Sequence, residues 1–435
     1  MSRSLLAPYL HALKAGSTLR WKGRINQVIG NLIESEGPFG FVGESCEIRG
    51  DDGKSYAGEI VGFRGSTMLS MAADHPQGIR LGDEVVAWGA RPSIRVGPEL
   101  LGRVIDPAGN PLDGKGDYRA TRAVILDGSA PLPLERVPIR EPLGCGIRAI
   151  DGFLTCGRGQ RLGIFGGSGV GKSTLIGMMA RGTAADMTVL ALVGERGREV
   201  GEFLEVLGEE GLKRSVVVAS TSDQSPLLRI RAALAATALA EYFASLGKNV
   251  LLIADSLTRF AMAQREIGLA AGEPPTAKGY TPSVLNMLAR LVERAGNFSQ
   301  GSITAFYTVL MEGDDQQDPV VDTVRSLLDG HVILDRNLAM RSHYPPIAVL
   351  ESLSRLMSSM VSKDHLAKAN ALRLLMASYA RSEDLIRIGA YQKGADPVLD
   401  SAVQNLPALH AFLQQTPDVL GKYPEIVQRL MVLPS

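Results

Sequence analysis

Unbroken apolar runs alternate with longer Ala- and Leu-rich stretches through the middle of the chain. Between residues 146 and 345 the apolar runs lie at 161–165, 188–193, 215–219, 250–254, 303–310 and 331–334. The stretches between them, such as 227–246 and 283–295, have the length and composition of helices. Apolar strands that alternate with helices are typical of a parallel sheet covered on both faces. The pattern therefore predicts an α/β domain that binds its ligand at the carboxyl ends of the strands.

The first ninety or so residues have a different pattern, in which short β-favouring runs are separated by turns. The runs lie at residues 25–29, 56–63, 67–71 and 84–88. Turn sequences such as Asp52-Gly53 and Arg64-Gly65-Ser66 stand between them. This pattern predicts a small antiparallel β-barrel.

An apolar stripe at helical spacing precedes the barrel and predicts a short helix within residues 1–15. Its members are Leu5, Leu6, Tyr9, Leu10 and Leu13. The helix either docks onto a partner or packs against its own domain, and the sequence leaves both alternatives open.

Proline and glycine punctuate residues 91–145, which predicts a connecting segment with little regular structure. The last part of the chain is predicted to be helical, with helices at 352–360, 365–387 and 400–414. The predicted organisation is therefore a β-barrel with its leading helix (1–90), an α/β domain with its connector (91–345) and a C-terminal helical domain (346–435).

Composition narrows the possible partners and compartment. The chain has 435 residues, and its 46 Lys and Arg balance its 46 Asp and Glu. This balance gives no basic footprint for nucleic acid. Cys46, Cys145 and Cys156 have no C-x-x-C spacing, so neither a zinc site nor a disulfide framework is indicated, in keeping with a reducing cytoplasm. The chain has no long apolar run and no signal-peptide pattern, so we expect a cytoplasmic protein that can still dock onto a membrane complex.

The strongest chemical signal is a glycine-rich loop between the run at 161–165 and a helix that begins near residue 174. It matches the phosphate-binding pattern G-x-x-x-x-G-K-[ST] at every defined position. The glycines let backbone N–H groups point at a phosphate, the lysine reaches the β- and γ-phosphates, and the serine hydroxyl reaches Mg²⁺. The predicted nucleotide-binding residues are Gly166, Gly167, Ser168, Gly169, Val170, Gly171, Lys172, Ser173 and Thr174.

Carboxylates follow two further apolar runs. Asp255 ends the run at 250–254, where an acidic residue can hold the shell of Mg²⁺. Glu195 follows the run at 188–193 and would lie beside a bound triphosphate, where hydrolysis needs a group that orients or deprotonates water. A solvated loop is the other interpretation of the charged string at 195–199, but its position directly after a central strand favours the catalytic one.

Longer strings in the chain resemble a known family. The loop and the Gly-Glu-Arg strand end are similar to those of rotary ATP synthase catalytic subunits. The strings GERGREV at 194–200 and RFAMAQREIGLAAGEPPT at 259–276 resemble the type III export ATPases. The strings FYTVLMEGDDQQDP at 306–319 and GAYQKGADP at 389–397 are similar to the flagellum-specific branch of that family. The resemblance covers residues 90–415.

The resemblance implies a homohexameric ring of RecA-like P-loop NTPase cores, each with an N-terminal β-barrel and a C-terminal helical domain. It implies that ATP and Mg²⁺ are bound, with Ser173, Asp255 and Glu199 around the metal. It also implies a catalytic role for Glu195, helped by Lys172 and Arg196, with Arg259 lining the same site. Arg355 matches the arginine finger that enters the neighbouring subunit's site, and Tyr344 matches the tyrosine that stacks on adenine.

The resemblance also implies partners and a location. The partners are a stator-like regulatory protein, a coiled-coil central stalk protein, a membrane export gate, and export chaperones with their substrates; nucleic acid is not among them. The protein would be cytoplasmic and peripherally associated with the inner-membrane export apparatus, hydrolysing ATP to energise flagellar protein export.

Four other functions remain open at this point. The first is the ATPase of a virulence-type injectisome, which the string at 316–319 disfavours. The second is a subunit of an ATP synthase, against which the export-type strings argue. The third is a nucleic-acid motor, which the neutral charge disfavours. The last is a structural ring subunit without activity, which the presence of Lys172, Glu195 and Arg355 disfavours.

The phosphate loop yields a direct test. We expect Lys172→Ala to abolish nucleotide turnover, because the ammonium that contacts the β- and γ-phosphates is lost. A phosphate-release assay at saturating ATP measures this, and near wild-type hydrolysis would refute the assignment of the loop.

Overall fold

The structure, a computed structural model, describes residues 20–311 and 318–434. The helix expected within residues 1–15 lies outside the described residues. The same is true of 312–317, the middle of the string at 306–319.

An antiparallel barrel forms the N-terminal part, as predicted. Its strands are β1 (Lys22–Ile29), β2 (Leu32–Glu36), β3 (Ser45–Arg49), β4 (Ser55–Arg64), β5 (Thr67–Ala72) and β6 (Glu84–Ala87). They close in the order β1-β2-β5-β4-β3-β6, with β1 paired to β6. Ile25, Ile33, Ile48 and Ile60 fill the interior. The sequence did not reveal β2 and β3, because charged residues interrupt their short apolar pattern.

The connector contains more regular structure than predicted. It carries β7 (Ser93–Val96), β8 (Arg103–Ile105) and β9 (Arg122–Ile125), and β7 pairs with β9. Strand β8 joins the edge of the central sheet beside residues 216–218. The prediction of an irregular connector was therefore wrong for these strands, which are too short for their alternation to be recognised and which pair with distant partners.

The central sheet is parallel from one edge to nearly the other, as predicted. Its further strands are β10 (Arg161–Gly166), β11 (Met187–Glu195), β12 (Ser215–Thr221), β13 (Asn249–Asp255), β14 (Gly296–Asn297), β15 (Ser302–Leu310), β16 (Gly330–Ile333) and β17 (Leu353–Ser354). The order is β17-β16-β10-β15-β13-β11-β12-β8, and β14 pairs with β15. The short β14 and β17 are antiparallel to their neighbours.

Helices cover both faces of this sheet. They are α1 (Arg148–Phe153), α2 (Lys172–Gly182), α3 (Gly197–Lys213), α4 (Pro226–Ser245), α5 (Leu257–Ala271), α6 (Pro282–Val292), α7 (Pro319–Leu327) and α8 (Arg336–Met340). Short 3-10 turns lie at Pro98–Leu100, Pro133–Glu135 and Ala277–Gly279. Strand β11 shows why two layers are needed, because Val189 and Ala191 belong to one apolar core whereas Leu190 and Leu192 belong to the other.

The C-terminal part is helical. Its helices are α9 (Met357–Met360), α10 (Lys363–Arg387), α11 (Pro397–Leu413) and α12 (Tyr423–Met431). The predicted helix at 352–360 was wrong in its first half, where β17 pairs with β16. The prediction also missed α12. Across the described residues, every helix is too short or too polar to cross a membrane.

Gln415 joins this helical part to the α/β core. Its side chain is buried, accepts a hydrogen bond from the Arg148 N–H at 2.9 Å and donates one to the Gly146 carbonyl at 2.7 Å. Its backbone N–H donates to the carbonyl of Tyr344 at 2.8 Å. These bonds hold the chain after α11 against the start of α1.

We expect Gln415→Ala to lower the free energy of unfolding by about 2 to 4 kcal/mol, because it leaves buried backbone groups of residues 146 and 148 without partners. The neighbouring Gln414 is exposed, so Gln414→Ala is a matched control that should stay within about 0.5 kcal/mol of the wild type. Urea unfolding measures both, and equal losses would contradict the anchoring role of Gln415.

Candidate functional site

The predicted phosphate loop and the two predicted carboxylates meet at the carboxyl edge of the sheet, the side on which its parallel strands end. Strand β10 ends at Gly166, β11 ends at Glu195 and β13 ends at Asp255. In the sheet these strands stand in the order β10-β15-β13-β11 and are parallel. Their carboxyl ends therefore face the same crevice, which is where open α/β sheets bind ligands.

The glycines of the loop answer local geometric demands. Gly169 and Gly171 have φ angles of +77° and +93°, in the left-handed region that L side chains rarely adopt. At Gly166 a Cβ atom would lie 2.9 Å from the Cβ of Leu334. The loop then passes directly into α2, whose first residue is Lys172, so the N-terminal end of that helix faces the crevice.

Lys172 folds back onto its own loop. Its ammonium donates hydrogen bonds to the carbonyls of Gly167 at 2.7 Å and Gly166 at 3.1 Å. Burial lowers the pKa of this ammonium, while the nearby carboxylates of Asp255 and Glu195 oppose that shift. The cation is thus held at the loop by weak carbonyl acceptors, which the oxygens of a phosphate can replace.

Glu195 is held by an arginine and shares a proton with a second glutamate. Arg259 donates from Nε to Oε1 at 3.0 Å and from Nη2 to Oε2 at 3.4 Å. Burial raises the pKa of Glu195 to about 8, and a hydrogen bond with Glu199 adds to the rise. The same hydrogen bond lowers the pKa of Glu199. Near neutral pH these shifts favour a proton on Glu195 and the ionised form of Glu199.

The oxygens near the loop fit the preferences of Mg²⁺. Oδ1 of Asp255 accepts a hydrogen bond from the Thr308 hydroxyl at 2.5 Å, which leaves Oδ2 for an outside ligand. The Ser173 side chain is exposed at the first turn of α2. In the part of the chain that the structure describes, no three His, Cys, Asp or Glu side chains converge to hold a metal by themselves. Mg²⁺ commonly binds through one or two protein oxygens together with phosphates and water, so the Asp255 carboxylate and the Ser173 hydroxyl are suitable ligands.

Arg196 lies apart from the other predicted catalytic residues. Its side chain is 73% exposed, and its guanidinium stands 3.9 Å from Glu199. Arg259, which comes from α5, contacts Glu195 instead. The structure thus places Arg196 at the rim of the crevice.

Tyr344 lines a cavity of about 670 Å³ next to the loop. The ring is half exposed, and its Cε1 lies 4.0 Å from the position of a Cβ on Gly171. Thr174 lines the same cavity, as do residues 414–417 of the C-terminal part. Residues 414–417 could not be recognised from the sequence as part of this cavity, because they are polar or small and lie far along the chain from the loop.

Arg355 lies at the opposite side of the sheet, where its parallel strands begin. Its backbone N–H donates to the carbonyl of Asp329 at 2.9 Å, just before β16 begins, and its side chain is exposed. The strand β10 spans residues 161–166, so at ~3.3 Å per residue its two ends are roughly 16 Å apart. Arg355 is therefore remote from the phosphate loop of its own protomer.

Family models match most of the chain. The beta-barrel domain of the ATP synthase alpha/beta family matches residues 25–89. The nucleotide-binding domain of the same family matches residues 146–354. The T3SS EscN ATPase C-terminal domain matches residues 361–432.

Characterised relatives match over nearly their whole length. The flagellum-specific ATP synthase of Bacillus subtilis is 53% identical over 91% of this chain and 91% of its own. That of Treponema pallidum is 50% identical over 100% and 97%. The type 3 secretion system ATPase of Sinorhizobium fredii is 48% identical over 93% and 90%.

Solved structures agree with these matches. The assembled ATPase EscN of the enteropathogenic E. coli type III secretion system superposes with a TM-score of 0.90 at 43% identity, covering 95% of this chain and 100% of the other. EscN in complex with its central stalk EscO gives a TM-score of 0.88 at 42% identity, again covering 95% of this chain and 100% of the other.

The proton shared by Glu195 and Glu199 predicts the pH dependence of turnover. A general base acts as the carboxylate, so we expect kcat/KM to rise with pH through about 8, the pKa of Glu195. In Glu199→Gln the rise should move to lower pH, because the neighbouring acceptor that favours protonated Glu195 is removed.

A matched control is Glu202→Gln, because Glu202 lies on the same helix and pairs with Arg198 rather than with Glu195. Steady-state kinetics across pH measure all variants. An unchanged midpoint in Glu199→Gln would contradict the shared proton.

Proposed function

The chain belongs to the ATP synthase alpha/beta family, in its branch of flagellum-specific and type 3 secretion ATPases, and we propose that its ATP hydrolysis energises the export of flagellar proteins. The observation that carries this proposal is the convergence of the phosphate loop, Glu195 and Asp255 at one sheet edge. This edge has the groups needed to hold a triphosphate and to prepare a water molecule for attack.

Each residue at this edge has a proposed task in hydrolysis. The loop N–H groups and Lys172 bind the phosphates, and Tyr344 stacks on the adenine across the cavity described above. Ser173 and Asp255 would hold Mg²⁺, which supplies charge neutralisation on the phosphates when bound. Glu195 orients the attacking water and accepts its proton, and Arg259 keeps that carboxyl in place.

Glu199 and Arg196 act around this centre in the proposal. Glu199 accepts a hydrogen bond from protonated Glu195 when the nucleotide is absent, and this neighbourhood supports a place for it in the outer shell of the metal. Arg196 is exposed at the rim and meets the neighbouring protomer or the outer phosphates.

Arg355 completes the neighbouring site rather than its own. Its position where the parallel strands begin supports this assignment, since one protomer then offers a phosphate loop at one end of the strands and a cation at the other. Copies joined head to tail in this way form a ring when the rotation between neighbours closes. We propose a homohexamer, in keeping with the assembled state of EscN.

The further partners are proposed from the family. A central stalk protein fits the ring, because EscN has been solved in complex with its stalk EscO. A stator-like regulator, a membrane export gate, and chaperones with their substrates complete the assembly, and the ATPase would help to unload chaperone–substrate complexes. We place the protein in the cytoplasm at the inner-membrane export apparatus. Residues 1–90, 91–345 and 346–435 would form its three functional parts.

A second candidate function is the ATPase of a virulence-type injectisome. The match of residues 361–432 to the EscN C-terminal domain and the 48% identity to the Sinorhizobium fredii protein favour it. Deletion of the gene separates the two functions. Loss of flagellar filaments and motility supports the flagellar function, whereas retained motility with loss of effector secretion supports the injectisome.

The arginine in the neighbouring site yields the main test. We expect Arg355→Ala to leave ATP affinity largely intact and to lower kcat by about 10³- to 10⁵-fold, the usual worth of an arginine finger. The exposed Arg381 on α10 supplies the control variant Arg381→Ala, which should hydrolyse ATP at the wild-type rate.

Hydrolysis per protomer should also rise with protein concentration as the ring forms, and mass photometry reports assembly in the same samples. If dilute, monomeric wild-type protein hydrolysed ATP as fast as assembled protein, the role of Arg355 in a neighbouring site would be refuted.

A further inference from the structure

A buried glutamine bonds to the groups that hold the backbone of Arg355, at the side of the sheet where the parallel strands begin. Gln160 directly precedes β10 and is fully buried. Its Nε2 donates hydrogen bonds to Oγ of Ser354 at 3.1 Å and to the carbonyl of Asp329 at 3.2 Å. Its Oε1 accepts a hydrogen bond from the backbone N–H of Gly157 at 2.8 Å. Both ends of this amide are therefore engaged.

The partners of Gln160 hold the backbone from which Arg355 extends. Ser354 is the residue before Arg355, and its hydroxyl donates to the carbonyl of Thr155 at 3.0 Å. The Asp329 carbonyl that accepts from Gln160 also accepts from the Arg355 N–H at 2.9 Å. The amide of Gln160 thus bonds to the residue before Arg355 and to the acceptor of Arg355 itself.

The same cluster is tied to the strand that leads into the phosphate loop. The carboxylate of Asp329 accepts from the backbone N–H of Arg161 at 3.1 Å and from its Nε at 3.3 Å. Arg161 is the first residue of β10, and the last residue of that strand is Gly166 of the loop. One straight strand therefore connects the nucleotide cradle to the base of Arg355.

Local structure alone holds Arg355 weakly. The strand β17 before it pairs with β16 through Gly330–Ser354 and His331–Leu353, and a turn follows. An exposed arginine in the turn after so short a strand has many rotamers, and misplacement of a catalytic group by about 1 Å can cost 10²-fold in rate. A buried, fully bonded amide is a rigid support for its backbone.

We propose that Gln160, acting with Ser354, is a positioning residue for the arginine that each protomer lends to its neighbour. The inference rests on the proposed function, in which Arg355 works in the neighbouring site. Gln160 touches no substrate in this arrangement. It fixes the backbone of Arg355 relative to β10. The arginine that enters the next site is thereby held at a fixed position relative to the phosphate loop of its own protomer.

The test begins with Gln160→Met, which keeps the length of the side chain and removes its hydrogen bonds. Because the backbone of Arg355 is then no longer fixed, we expect kcat to fall about tenfold or more with little change in KM. Ser354→Ala is a second, milder variant that should act in the same direction. Ser359→Ala is the matched control, since its hydroxyl bonds to the Leu356 carbonyl outside the cluster.

A double-variant comparison separates positioning from general structural support. If Gln160 works through Arg355, then Gln160→Met should lower kcat no further in an Arg355→Ala background. Independent, multiplicative losses would overturn the inference. Wild-type kcat in both Gln160→Met and Ser354→Ala would overturn it as well.

Mixed rings show in which protomer the defect lies. A Gln160→Met protomer has an intact site of its own, and a Glu195→Gln protomer has an intact arginine. When equal amounts are mixed before assembly, about a quarter of the sites combine the two intact halves, and hydrolysis should recover to about that share of the wild-type rate. Should Gln160→Met fail to fold, Ser354→Ala replaces it in the mixture.

The mixture of Arg355→Ala with Glu195→Gln separates the role of Gln160 from the placement of Arg355 in the neighbouring site. If that mixture recovers activity and the Gln160→Met mixture does not, then Gln160 supports its own site and the inference is overturned. If neither mixture recovers, the placement of Arg355 in the neighbouring site fails, and the positioning role of Gln160 fails with it.

Discussion

The parallel sheet imposes the constraint on which the rest of the structure depends. All carboxyl ends of its long strands face one crevice and all amino ends face away from it. Lys172, Glu195 and Asp255 are brought together because Glu195 and Asp255 end such strands and Lys172 follows one. Arg355 lies beyond the amino end of β16, so the same geometry that assembles the crevice keeps this cation out of it. The proposed role of Arg355 in the site of a neighbouring protomer rests on this separation.

The charges in the crevice suit a ligand that carries several negative charges. Burial raises the pKa of both Glu195 and Asp255, and Glu195 holds the proton that it shares with Glu199. A neutral Glu195 repels an incoming triphosphate less than a carboxylate would, while the ammonium of Lys172 is already present at the loop. In the proposed mechanism Glu195 must lose its proton before it can activate water, so the state that favours binding and the state that favours water activation differ by one proton.

Polar contacts join both the barrel and the helical part to the α/β core. The guanidinium of Arg231 on α4 pairs with Glu59 of the barrel at 2.8 Å, and the Ser225 hydroxyl donates to the Ala73 carbonyl of the chain after β5. On the other side, Gln415 holds the chain after α11 against the core beside Tyr344. The wall of the cavity near the loop is thus set by contacts between parts of the chain that are remote in sequence.

The sequence by itself determined the features that are encoded in contiguous stretches. The phosphate loop, the strand ends at Glu195 and Asp255, the parallel α/β core and the barrel were predicted, because apolar runs, glycine spacing and turn residues act over a few neighbouring positions. Only the tertiary structure decided that β8 joins the central sheet and that residues 414–417 face Tyr344. It also decided that Arg259 rather than Arg196 contacts Glu195, and that Gln160 bonds to the groups that hold the backbone of Arg355. Each of these is a contact between residues far apart along the chain, and such contacts follow from packing and polar satisfaction in three dimensions, for which no local periodicity exists.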